Sequence, residues 1–207
     1  MSDGQTRSPD APGGPVDGRT ARRDRNRVAV LDAALELFGE GNLTPSATAV
    51  AERSGVSLRS VYRYYEDLEE LLRASIARSL ERNLPLFDIP GLGEGPLPDR
   101  IERLVDRRSA LYEQVAGMAR AAVLRARTNE IVRTQLETQM SRLRAQTEAM
   151  FAPELDALPA DQRADLAAAL AVVSGFEALE LLHVTLGRSP ADARRILITS
   201  LGALLHA

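Results

Sequence analysis

The chain has 207 residues, a formal net charge of −3 and no cysteine. Disulfide bonds and thiolate metal sites are therefore excluded, and a reducing cytoplasmic location is expected. No segment has the ~18 consecutive apolar residues of a membrane-spanning helix, and the first residues lack the apolar run of a signal peptide. Aromatic residues make up 4% and hydrophobic residues 44% of the chain, so Leu, Val and Ala must form the core, a composition that favours helices.

Basic residues are concentrated toward the N-terminus. The segment 19–65 contains eight arginines and five acidic residues, so a positive end precedes an acidic body, as expected of a protein of which one end approaches phosphate. Residues 1–18 are rich in Gly, Pro, Asp and Ser and are predicted to be disordered. The Arg-rich stretch 19–27 is interpreted either as a solvated helix start or as a flexible basic arm that lies along DNA.

Helical periodicity starts at Val28, where apolar residues recur every three or four positions and form one stripe. Gly39 and Gly41 are expected to end this first helix. A Pro/Gly-rich loop is predicted over 84–98, and a break near Gly117. The pattern predicts an all-α fold of about nine helices. After the first, the predicted helices span 47–53, 58–64, 68–83, 99–115, 118–126, 129–151, 160–186 and 190–205.

The segment 47–64 has the features of a helix-turn-helix. Ala51 is a small residue where the two helices must cross, and Gly55 permits the positive φ of the turn. The second helix is short and polar, so its outer face is suited to enter the major groove of DNA. The alternative is an ordinary helical hairpin with a capped turn. The residues assigned to the outer face are Leu58, Arg59, Ser60, Arg63 and Tyr64.

Four elements between residues 28 and 72, AALELF, TPSATAVA, SGVS and VYRYY, together resemble the N-terminal domain of TetR-family regulators. The resemblance implies a helix-turn-helix DNA-binding domain over 19–67 and a helical effector-binding and dimerisation domain over 68–207. It implies a transcriptional regulator, commonly a repressor, that binds a palindromic operator on double-stranded DNA as a homodimer. A small-molecule effector of unknown identity would release or modulate that binding, with no cofactor.

The resemblance also implies roles for residues of the first domain. Ser46 is expected to cap the second helix, and Thr48 to approach a base or a phosphate. Arg59 is expected to read a guanine, because a guanidinium can bond its O6 and N7 together, while Leu58 would meet a thymine methyl. The residues expected to contact phosphates are Ser57, Ser60, Tyr62, Arg63 and Tyr64.

One position departs from the family pattern. The family usually has a lysine at the start of its fourth helix, where it meets phosphate, and this chain has Leu68 there, preceded by Glu66 and Asp67. The departure favours an alternative function: a helical dimeric module that binds a ligand or a protein and has lost specific operator binding.

The last two predicted helices, 160–186 and 190–205, are apolar on more than one side. We expect one face to pack in the core and the other against a twofold partner, although fully internal core helices would have the same pattern.

Polar residues on these apolar helices are the candidates for an effector site. Glu177, Glu180 and His183 form a line beside Phe176, and they either line a pocket, face solvent or pair with arginines across the dimer. Two further candidates, Tyr112 and Met118, lie near the predicted break in the fifth helix.

An enzymatic function is not expected. Glu180 and His183 have the Glu-x-x-His spacing of di-iron bundles, but His206 has no glutamate three residues before it, so the second pair that this chemistry needs is missing. The Gly-rich segment 91–95 precedes no P-loop lysine. No metal site is predicted.

Overall fold

The computed structural model describes residues 18–206, which fold into helices with no strand among them. The all-α prediction is therefore confirmed, whereas the predicted disordered tail lies outside the described residues except for Gly18. The helices are α1 (Gly18–Gly39), α2 (Ala47–Ser54), α3 (Leu58–Tyr64), α4 (Leu68–Phe87), α5 (Leu97–Ala126), α6 (Glu130–Met150), α7 (Ala152–Asp156), α8 (Ala160–Val173), α9 (Phe176–Glu180), which continues into a π-helical turn (Leu181–Thr185), and α10 (Pro190–Leu205).

The predicted N-caps of the second, third and fourth helices are confirmed. In each, a side-chain oxygen accepts a hydrogen bond from the backbone N–H three residues further on, which satisfies a donor that the helix itself leaves free. These caps explain why the bounds of the three helices follow the prediction closely at their N-terminal ends. The pairs are Ser46 with Ala49 (3.1 Å), Ser57 with Ser60 (3.3 Å) and Asp67 with Glu70 (2.7 Å).

Helix α1 begins at Gly18, so the Arg-rich stretch is the solvated start of a helix and the interpretation as a flexible arm is wrong. A tertiary contact holds this part of α1. The Tyr65 hydroxyl donates a hydrogen bond to the Arg27 carbonyl at 3.2 Å, and the Arg27 guanidinium lies 5.6 Å from the centre of the Tyr65 ring. The apolar stripe from Val28 onward therefore marks where α1 enters the core and not where it begins.

The break predicted near Gly117 is wrong, because α5 is one continuous helix from Leu97 to Ala126. Gly117 lies where α5 crosses the C-terminal end of α1. A Cβ atom at this position would be 2.3 Å from the Phe38 carbonyl oxygen and 2.6 Å from the Gly39 Cα. The glycine is therefore explained by the close contact of two backbones and not by a turn.

The predicted single helix over 160–186 is also wrong, because α8 ends at Val173 and the chain resumes as α9 at Phe176. Ser174 contributes to this end: its hydroxyl donates to the Leu170 carbonyl at 2.7 Å, and Gly175 has an extended backbone. An apolar run hides such a break, since both segments have the same composition. The predicted end of the fourth helix at residue 83 is four residues too early, because α4 continues through Pro85 to Phe87, into the predicted loop.

Two clusters of buried apolar side chains hold the helices together. The first joins α1–α4 and includes Met118 and Ala121 of α5 and Val132 of α6. The second joins the remainder of α5 and the end of α6 to α7–α10, with Leu104 and Leu170 fully buried. Helix α5 therefore belongs to both clusters and connects the N-terminal helices to the C-terminal ones.

Within residues 18–206, no single helix has the length and apolar character needed to cross a membrane. The segments Ala160–Val173 and Phe176–Thr185 meet that criterion only as a pair, across a bend of 41°.

Candidate nucleic-acid interface and ligand cavity

Helices α2 and α3 form a helix-turn-helix. Gly55 between them has φ +66°, a left-handed conformation that residues with a Cβ rarely adopt, so a glycine is favoured in this turn. Val50 and Val61 are buried on the facing sides of the two helices, and Val56 is buried just after the turn. The inner faces are thus fixed in the core, which leaves the opposite face of α3 on the surface.

Most of the predicted DNA-contacting residues lie on that surface. Ser57 and Arg59 are exposed at the start of α3, and Arg63 is exposed in its last turn, where its guanidinium donates to the Ser60 hydroxyl at 3.4 Å. Leu58 and Tyr62 have exposed fractions of 40% and 54% although both are large apolar side chains. Neither is needed by the core of its own chain, so both are available to a partner. From α2 and its cap, Ser46 and Thr48 are exposed as well.

Tyr64 is a correction to the predicted exposed face, because its side chain is buried. The reason is helical geometry: Tyr64 lies three residues after Val61, so the two share the inner side of α3. The Tyr64 hydroxyl accepts a hydrogen bond from the Arg63 guanidinium at 3.3 Å. This bond is the main cause that lowers the pKa of Tyr64, with smaller contributions from Asn26 and from the charge of Arg23.

The arginines of α1 extend the basic surface next to α3. Arg23 is exposed on α1, and α1 is in contact with α3. Arg53 behaves differently, because its guanidinium lies 2.8 Å from Glu40 and 3.4 Å from Glu36. Arg23 therefore adds to the positive face, whereas the charge of Arg53 is compensated within the chain.

Leu68, in place of the lysine usual in the family, is the first residue of α4 and is exposed. The carboxylate of Asp67 caps the helix, and the Glu70 carboxylate accepts a hydrogen bond from the Glu66 backbone N–H at 2.5 Å. This helix end therefore presents acidic and apolar groups, and α3 and α1 are the elements that present positive charge.

A cavity of about 600 Å³ lies between α4, α5, α6 and the junction of α8 with α9. Four predicted effector residues lie on its wall, and the rest of the lining is mainly aliphatic. Glu180 and His183 do not line it, so their assignment to the pocket is a correction. The four are Tyr112, Met118, Phe176 and Glu177.

Glu180 is instead the centre of a polar cluster behind the cavity wall. The Tyr112 hydroxyl donates to one of its oxygens at 2.7 Å, and the Arg120 Nε donates to the other at 2.7 Å. The Arg120 hydrogen bond is the main cause that lowers the pKa of Glu180. His183 stacks on the Tyr112 ring at 5.3 Å between centres, with Phe176 at the same distance. The cluster thus holds Tyr112 in place, and its ion pair forms within one chain.

Arg108 and Gln135 are two of the polar residues on the cavity wall that were not among the predicted candidates. Arg108 is 5% exposed, and its guanidinium donates to the Leu143 carbonyl at 2.8 Å and to the Gln146 amide oxygen at 3.1 Å. The amide oxygen of Gln135 is buried and has no hydrogen-bond partner among the described residues. In the sequence, Arg108 is one of 26 basic residues, all arginines, and no local pattern distinguishes it.

Residues 18–206 contain no group of three or more His, Asp or Glu side chains arranged to hold a metal ion.

Comparisons with known proteins agree with this arrangement. Residues 30–75 match the family model described as bacterial regulatory proteins, tetR family. A search of curated proteins gave no match.

Several solved structures share the fold. A candidate transcriptional regulator from Streptomyces coelicolor A3(2) is 23% identical with a TM-score of 0.59, covering 88% of this chain and 99% of that one. A transcriptional regulator from Rhodococcus sp. Rha1 is 20% identical with a TM-score of 0.64, covering 89% and 96%. A candidate fatty acid metabolism regulator from Clostridium perfringens is 16% identical with a TM-score of 0.58, covering 84% and 97%. At such identities the likeness shows the fold alone.

Proposed function

We propose that this chain, of which residues 30–75 match the family model of bacterial regulatory proteins, tetR family, binds a palindromic operator as a homodimer and that a small-molecule effector modulates this binding. Repression is the mode that the family resemblance leads us to expect.

The observation that carries the DNA-binding part is the exposed face of α3. Its inner residues are fixed in the core, and its outer residues, Arg59 and Tyr62 among them, are exposed. Ser57 caps this helix and is itself exposed at its start. The arginines of α1 beside it supply further phosphate contacts.

We expect the affinity for DNA to fall steeply with salt, because each phosphate contact displaces counterions. The test is fluorescence anisotropy with duplexes from the intergenic regions that flank the gene of this protein, at several salt concentrations. Arg23→Ala should reduce the slope of log K against log[salt] by about 0.9 for each phosphate that the variant no longer neutralises. Arg53→Ala is the matched control and should leave the slope unchanged, because Glu36 and Glu40 already compensate that charge.

A flat salt dependence with every duplex would contradict DNA binding. It would favour the alternative, a ligand- or protein-binding module, for which Leu68 and the acidic start of α4 are the supporting observations. Equal effects of Arg23→Ala and Arg53→Ala would contradict the assignment of α1 to the interface.

The homodimer is supported by the C-terminal helices. A palindrome repeats its half-site after one helical turn of DNA, ~34–36 Å, so two recognition helices must be held at that separation. In the single chain Leu181, Val184 and Leu186, which follow α9, are between 51% and 60% exposed. Leu182 and Leu201 are buried in their own chain. We therefore place the partner against the exposed residues and not against every apolar residue of the last helices.

The effector site is supported by the cavity and by its position. Ile76, Met118 and Val132 line the cavity and are also part of the buried cluster that holds the helix-turn-helix. A ligand that displaces these side chains changes the packing beneath the DNA-binding helices. This shared wall gives a physical route from the cavity to the operator-binding face.

A further inference from the structure

The cavity wall carries a buried positive charge without a negative partner. Arg108 projects from α5 and lines the cavity, and it is 5% exposed. A guanidinium has five N–H donors, and the two hydrogen bonds of Arg108 go to the neutral oxygens of Leu143 and Gln146. No carboxylate of residues 18–206 pairs with it. A buried charge without a partner costs free energy, so binding of an anion would stabilise this site.

Other arginines of the same helix show the contrast. Arg100 is equally buried, and it pairs with the carboxylate of Glu154. Arg120 is partly buried and pairs with Glu180. Burial lowers the pKa of Arg108 to about 10, whereas the hydrogen bond to Glu154 raises the pKa of Arg100. Arg108 still carries its charge at neutral pH. It differs from Arg100 and Arg120 in that no carboxylate lies beside its guanidinium.

The remaining charged residues of the cavity wall do not supply that partner. Glu137, Arg144 and Glu177 line the cavity but are exposed. Glu137 and Arg144 also have neighbours of opposite charge on α6, Arg133 at 3.9 Å and Glu148 at 3.7 Å. Their charges are screened by water. The buried part of the cavity thus combines aliphatic walls with one positive charge.

We propose that the cavity takes an amphipathic anion, a molecule with an apolar body and an anionic headgroup, and that the headgroup binds the Arg108 guanidinium. The volume of about 600 Å³ is in the range of pockets for small organic ligands. The apolar body would lie against side chains such as Leu111, Val115 and Leu136. The inference deepens the proposed function, since it rests on the cavity being the effector site.

The test compares three molecules that share an eight-carbon chain: octanoate, 1-octanol and octyltrimethylammonium. Their binding to the full chain is measured by titration calorimetry without DNA. Octanoate should bind the unaltered protein about tenfold or more tighter than octanol, because a charge-assisted hydrogen bond adds to the same apolar contacts. The cation should bind more weakly than octanol. Undetectable octanoate binding, or a preference for the alcohol or the cation, would overturn the proposal without any variant.

Two variants assign the preference to one residue. Arg108→Leu should reduce the octanoate-to-octanol ratio to about one, and Arg108→Lys should retain part of it. Arg133→Leu is the matched control, since it removes an exposed arginine of α6 that does not line the cavity and should leave the ratio unchanged. A purely structural role of Arg108 would weaken both ligands together, and an unchanged ratio in Arg108→Leu would overturn the assignment. Circular dichroism establishes that each variant is folded.

These titrations, together with fluorescence anisotropy of the DNA complex with and without octanoate, separate this inference from the proposed function. If octanoate binds through Arg108 but does not affect the DNA complex, the inference that the cavity binds an anion is supported. The proposal that the cavity is the effector site is then refuted. If octanoate does not bind and the protein still binds DNA, the inference about the anion fails and the regulator remains.

Discussion

Among single residues, Arg59 is the one whose substitution best distinguishes reading of sequence from binding of the backbone. It is the second residue of α3 and is exposed. We expect Arg59→Ala to cost about 1–3 kcal/mol of operator binding and to relax specificity at one base position. The measurement is a titration against duplexes that carry each of the four base pairs at that position. An equal loss on all four duplexes would mean that Arg59 contacts only phosphate.

Arg108 illustrates which site residues the sequence leaves hidden. The residues of the helix-turn-helix were predicted because their types recur at fixed spacings, and the structure places all but Tyr64 of them on the surface or at its edge. A buried arginine leaves no such pattern, because its role depends on the distance to carboxylates far away in the sequence. The same holds for Glu180. Its spacing from His183 predicts a polar line on one helix, but the ion pair with Arg120, a residue of α5 that is distant in the sequence, fixes the position of its carboxylate.

At the scale of the helices, the crossing of α1 and α5 at Gly117 gives the sharpest prediction. A methyl group there meets backbone atoms of Phe38 and Gly39, which cannot rotate away, so α5 must shift. We expect Gly117→Ala to lower the free energy of unfolding by about 1–3 kcal/mol in urea denaturation. Gly39→Ala is the control at the same crossing, since its Cβ meets nothing within 4 Å. A similar stability of the two variants would refute this explanation of Gly117.

The errors in helix bounds have different physical origins. Local rules predicted the caps at Ser46, Ser57 and Asp67 correctly, because a cap is a contact between residues three apart. The same rules predict a break at Gly117, where the helix is continuous, and predict no break at Gly175, where one helix ends and the next begins. At Gly117 the deciding contact comes from another helix. The break at Gly175 has a local signal, the Ser174 hydroxyl bonded to the Leu170 carbonyl and an extended glycine, within an otherwise uniform apolar run. Composition and periodicity are sufficient to predict the all-α fold class, but the positions at which helices end or continue could be established only from the tertiary structure.

At the scale of the whole molecule, the prediction concerns the partner surface after α9. Val184 is 60% exposed. We expect Val184→Arg to convert the proposed dimer into monomers, because two charges without partners would face each other across its twofold axis. Analytical ultracentrifugation measures the change, and operator affinity should fall with it. Ile131→Arg is the control, since Ile131 is 52% exposed on α6. A monomeric unaltered protein, or dissociation caused by Ile131→Arg alone, would refute the interface.

The wall that the cavity shares with the N-terminal cluster has a thermodynamic consequence. Ile76, Met118 and Val132 belong to both, so under the proposed function operator binding and ligand binding act on the same side chains. Coupling free energies between two binding sites are reciprocal. Whatever factor the ligand removes from the affinity for DNA, the operator removes the same factor from the affinity for the ligand. Under the proposed function, the operator-bound protein therefore binds the effector more weakly than the free protein does, and the effector concentration needed for a response depends on the number of operators in the cell.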